Sequence, residues 1–105
     1  MTFVYNIKFM FDYCASSCLW SDYEGVLSLE GFPISKELKK VLRDLCLEYD
    51  SILNWDDPTS GFVWTLEQIE GFRSRAQQAY DQLIVELGES YEVRNLINQC
   101  LELKN

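Results

Sequence analysis

The stretch FVYNIKFMF, from Phe3 to Phe11, decides the fold class. Phe3, Tyr5, Ile7, Phe9 and Phe11 occupy the odd positions, and Val4, Asn6, Lys8 and Met10 the even ones. Side chains alternate across a β-strand with a period of two. An aromatic and β-branched odd set therefore predicts a strand with its odd face on a core. A lone strand inside a core would leave its backbone N–H and C=O groups unpaired. This one needs a neighbour, and the candidates are residues 25–30, residues 90–95 or another subunit.

Outward from that strand the pattern changes. Residues 12–24 have no period and many small polar residues, and are expected to form a loop with Trp20 and Tyr23 as aromatic anchors. Val26, Leu27 and Leu29 offer a short strand that Gly31 and Pro33 would end. A first long helix is predicted from Ser35, a favourable N-cap, with Glu37 in the positively polarised first turn. Leu38, Val41, Leu42, Leu45, Tyr49 and Ile52 recur at steps of three and four and form its apolar stripe, which should end near Leu53. Asn54-Trp55-Asp56-Asp57-Pro58 then carries turn chemistry and a proline stop. Residues 54–64 are expected to be a loop containing Trp55, Phe62 and Trp64.

Thr65 and Gln68 fit a capping box, and Trp64 and Ile69 a hydrophobic staple, at the start of a second helix. Its stripe is Ile69, Phe72, Ala76, Ala79, Tyr80, Leu83 and Leu87, and Gly88 is a natural terminator. A short strand near 90–95 and a less regular or helical end follow. The expected class is α+β: two long amphipathic helices packed on a small sheet that contains the N-terminal strand, in a single domain over residues 1–105. No signal peptide or membrane helix is expected, because no basic segment precedes an apolar run and no apolar run nears the ~20 residues a span needs. The expected compartment is the cytoplasm.

Charge narrows the function. Seventeen Asp and Glu against nine Lys and Arg give a net charge of −8. Such a chain is repelled by phosphate backbones and anionic lipids, so no direct nucleic-acid or membrane partner is expected. No Lys or Arg lies between Lys8 and Lys36, or between Arg43 and Arg73. An acidic side that steers a basic protein partner is the sharper reading; solubility alone is the bland one.

Chemistry-bearing patterns are few. The chain has no histidine, hence neither the commonest general base nor the commonest zinc ligand. Cys14 and Cys18 are four apart, not the two-residue gap of a metal ribbon or redox motif. Cys46 and Cys100 sit on apolar stripes, where a thiol serves as a small hydrophobe. Asp56 and Asp57 lack the further oxygens of a Mg²⁺ or Ca²⁺ loop and read more simply as turn residues before Pro58. No catalytic residue, metal or cofactor is expected. The candidate partner-binding residues are Asp12, Trp20, Asp22, Tyr23, Glu24, Trp55, Asp56 and Asp57, an aromatic centre with an acidic rim. They would meet if loops 12–24 and 54–58 emerged at one end of the domain.

Three stretches together carry a resemblance: Phe11-Asp12-Tyr13 with Ser17-Cys18-Leu19-Trp20; Leu29 to Leu42 with its Pro-Ile-Ser-Lys-Glu-Leu helix entry; and Tyr49-Asp50 through Leu53-Asn54-Trp55-Asp56-Asp57-Pro58. They resemble a family of small bacterial proteins with CLW and YDxxLNWDDP loops, over roughly residues 9–87. In size and charge the chain is also similar to the immunity proteins of contact-dependent growth inhibition and other polymorphic-toxin systems. The tail after Leu87 departs from that pattern. The resemblance implies a non-enzymatic inhibitor of a basic, nuclease-like toxin C-terminal domain, monomer or homodimer. The alternative is a small cytosolic adaptor or regulatory subunit, dimerising through an open edge of the first strand. A thiol- or metal-dependent enzyme built on Cys14 and Cys18 comes third.

Overall fold

A computed structural model describes residues 4–12, 17–52 and 63–101. Strand β1 spans Tyr5–Phe9, β2 Leu19–Ser21 and β3 Gly25–Val26. Helix α1 spans Lys36–Tyr49 and α2 Leu66–Leu87, and β4, Tyr91–Asn95, precedes a four-residue helix α3, Ile97–Cys100. The strands form one sheet in the order β3-β2-β1-β4. The class is the expected one, α+β with two long helices against a sheet that holds the N-terminal strand.

The alternation of β1 governs the packing. Ile7, Phe9 and Phe11 are buried, while Val4 and Asn6 are exposed. Phe11 meets both helices, its ring centroid 5.1 Å from Phe72 of α2 and 5.7 Å from Tyr49 of α1. Phe9 lies 5.6 Å from Tyr80. Each such ring, moved out of water, contributes about 1.5–3 kcal/mol, so the odd face of one strand joins all the main elements.

The partners of β1 bear out one expectation and correct another. β4 pairs with it in parallel, from Tyr5↔Tyr91 to Phe9↔Asn95, as one of the candidate pairings required. On the other side stands β2, antiparallel at Lys8↔Trp20 and Phe9↔Leu19, inside the segment expected to be a loop. Three residues are too few to display a period, yet Leu19 is fully buried and its strand satisfies the backbone of β1. Residues 25–26 pair with β2 instead of β1. β1 thus has a neighbour on both sides, along its whole length in β4 and at Lys8 and Phe9 in β2, which shortens the open edge that the adaptor-dimer alternative relied on. The outer carbonyl of Val93 in β4 accepts a hydrogen bond from the Tyr80 hydroxyl at 2.7 Å, which blunts that edge of the sheet.

The helices begin where the sequence places them. Ser35 caps α1, its Oγ accepting the Leu38 N–H at 3.1 Å. Thr65 and Gln68 form the reciprocal capping box of α2 at 3.1 and 2.8 Å. Trp64 packs on Phe72, centroids 5.3 Å apart, and donates its indole N–H to Ser51. Gly88 ends α2 at φ 75°, a conformation that side-chain-bearing residues rarely adopt. α1 stops at Tyr49 and continues as a tight turn over Asp50–Ile52; Leu53 and the loop beyond lie outside the described residues. Val41 is 45% exposed, so the expected stripe of α1 is wrong there, whereas Cys46 is buried as its place on an apolar stripe implied. Val41 lies at the margin of the apolar arc, beside the second helix.

Candidate functional site

Of the residues that the sequence grouped, the structure describes five and sets Asp12 apart from the other four. Trp55, Asp56 and Asp57 lie outside the described residues. Asp12 follows the C-terminal end of β1, whereas Asp22, Tyr23 and Glu24 form the β2–β3 turn. The antiparallel register sets Asp22 level with Asn6, so Asp12 and that turn are up to about 20 Å apart along the strand at ~3.3 Å per residue. Trp20, Asp22, Tyr23 and Glu24 do come together.

Their setting is the sheet face turned away from the core. Val26, Trp20, Lys8 and Arg94 fall in one row across β3, β2, β1 and β4. Trp20 is half-buried and donates its indole N–H to the Met10 carbonyl at 3.1 Å. Asp22 is paired with Lys8 and with Arg94, each at 3.2 Å. Two cations offset its charge, so this face is far less acidic than the sequence of the turn suggests. Tyr23, 98% exposed, stands clear of it.

The opposite side of the molecule holds a feature that the sequence reading missed. α1 and α2 run antiparallel, because Ser35 at the start of α1 meets Glu86 near the end of α2, and Glu48 near the end of α1 meets Arg75 of α2. Between these two bridges lies an open groove of about 500 Å³. Leu38, Val41, Leu45 and Ala79 supply its apolar lining; Glu37, Asp44, Glu48 and Glu86 supply carboxylates, against one guanidinium from Arg75. Arg75 and Glu86 lie eleven positions apart on α2, about 16 Å at 1.5 Å rise per residue.

The groove's acids are held in place. Glu86 accepts hydrogen bonds from Gln82 at 2.9 Å and from the backbone N–H and hydroxyl of Ser35. These bonds, the one from Gln82 foremost, hold its carboxyl below the ordinary glutamate range. Asp44 pairs with exposed Lys40 at 2.8 Å, which raises the lysine's pKa. The only signal in the sequence was the spacing of Glu37, Asp44 and Glu48 along one side of α1. Nothing in it told which side of α2 they would face.

Among the described cysteines, Cys18 and Cys46 are buried and Cys100 is half-buried. Burial, with Cys46 beside it, pushes the Cys18 thiol well above its ordinary pKa, and burial also raises Cys100, while the hydrogen bond with Cys18 lowers Cys46. A protonated buried thiol is a poor nucleophile. Cys14 lies outside the described residues. Among those described, no group of three or more His, Cys, Asp or Glu side chains is placed to hold a metal ion, and no helix is long and apolar enough to cross a membrane.

Comparison with known proteins matches a family model, "Serratia CdiI immunity protein-like", over residues 5–96. No curated protein matches the sequence. The matched span runs from β1 through β4, and so takes in the sheet, both long helices and the groove between them. The chain belongs to the Serratia CdiI immunity protein-like family.

Proposed function

We propose that this protein is a non-catalytic immunity protein that acts in the cytoplasm, binding a basic, nuclease-like toxin domain through an acidic surface and occluding its working site. The observation that carries the reading is the net charge of −8 on a chain of an immunity-protein family. A nuclease must attract phosphate and is therefore basic where it works; an acidic protein competes for that surface and is steered to it. No metal or cofactor is needed for such a role. The strands on both sides of β1 weigh against the adaptor-dimer alternative.

The test is protection. A toxin C-terminal domain from the chain's native host, sought first in the neighbouring gene, is expressed in a susceptible host with and without the chain. Growth should be arrested by the toxin alone and restored by co-expression. The purified pair should bind, with a Kd that weakens from 50 to 500 mM salt as the ionic attraction is screened. Accumulation of the chain without protection or binding would overturn the reading.

A further inference from the structure

We infer that the α1–α2 groove is the surface on which the toxin docks, receiving a cationic amphipathic segment of it. This rests on the function proposed above and names the surface that carries it out.

Three observations favour the groove over the sheet face. The first is charge. Four carboxylates line the groove; Arg75 engages Glu48 and Lys40 engages Asp44, each at 2.8 Å, which leaves Glu37 and Glu86 in excess of the cations there. On the sheet face Lys8 and Arg94 take up Asp22. The second is the apolar floor. Val41 is 45% exposed on a helix whose other stripe residues are buried, and the small side chain of Ala79 lets the opposite wall fall away. A ligand that covers Val41 gains apolar burial while its cations meet the rim, the usual arrangement of an apolar centre within a polar border. The third is preorganisation. The Ser35–Glu86 and Arg75–Glu48 bridges fix the two walls and close the ends of the groove, so little ordering is required on binding.

Charge also decides the occupant. A second copy of this chain would bring a second net charge of −8 against the first, which disfavours it. A segment bearing Lys or Arg on one side and apolar residues on the other complements both rim and floor. A length of about 16 Å accommodates roughly three helical turns or five extended residues.

The experiment measures binding of the purified toxin C-terminal domain used in the protection test to the full chain. Compared with it are Asp44→Lys, the double variant Glu37→Gln/Asp44→Asn, Val41→Lys, and Glu24→Lys on the β2–β3 turn. Glu37, Val41, Asp44 and Glu24 are exposed, and circular dichroism melts of each variant verify the fold. Asp44→Lys and Val41→Lys should each raise Kd tenfold or more, and the neutral double variant severalfold. Glu24→Lys should stay within twofold. Wild-type binding with unchanged groove variants overturns the groove alone, as does a loss confined to Glu24→Lys. Absence of wild-type binding overturns the proposed function and the groove with it. A doubling of the free protein's mass that the groove variants abolish would assign the groove to a second copy and overturn the toxin as its occupant.

Discussion

Glu86 takes the backbone N–H of Ser35 on one carboxylate oxygen, at 2.5 Å, and the Ser35 hydroxyl on the other, at 3.1 Å. These residues are 51 positions apart, and Ser35 is also the N-cap of α1. A carboxylate from α2 therefore sits at the positive end of α1, where the helix dipole and the free N–H groups favour an anion.

The stability of this joint should depend on pH in a definite direction. Hydrogen bonds from Gln82 and Ser35 depress the Glu86 pKa in the folded chain. The stabilisation is therefore fully present above the unfolded glutamate value of about 4.3 and is lost as pH falls through the lower folded value. Glu86→Gln should melt below the wild type at pH 7, with the difference narrowing below about pH 4. A difference that is constant from pH 7 to pH 3 would mean that the charge is not what Ser35 binds.

Two leucines of α1 give an internal comparison. Leu42 is fully buried and Leu47 is 70% exposed, yet both lie within the same helix and lose the same atoms on truncation. Leu42→Ala should cost about 2–5 kcal/mol by urea unfolding. Leu47→Ala should stay within about 0.5 kcal/mol. Equal costs would show that α1 presents a different face to the sheet.

Trp20 and Tyr23 separate structural from surface aromatics in the same way. Trp20→Ala removes half-buried ring area and leaves the Met10 carbonyl without its 3.1 Å donor. A loss of roughly 1–3 kcal/mol is expected. Tyr23→Ala, at 98% exposure, should leave the unfolding midpoint unchanged. If Tyr23→Ala destabilises as much as Trp20→Ala, the described turn is not the one the protein adopts.

Much of the fold is written locally. The alternation of Phe3 to Phe11, the Ser35 cap, the Thr65/Gln68 capping box, Gly88 and the β-formers at 91–95 each specify conformation through atoms a few residues apart. Short-range sterics and hydrogen bonds suffice for that, and so the α+β class and both helix starts were legible. The net charge was legible too, because composition alone fixes it. Tertiary structure decided the rest. Leu19–Ser21 becomes a strand because β1 needs a second neighbour, a requirement met ten to twelve residues away and invisible in a three-residue stretch. Asp22 loses its value as an acidic rim because pairing brings Lys8 and Arg94 to it. The groove exists only because α1 and α2 lie antiparallel, which sets Glu37, Asp44 and Glu48 of one helix beside Glu86 of the other. Sequence fixes which charges the chain carries, but whether a charge is neutralised or left to face a partner depends on distances of a few ångströms, and only packing sets those.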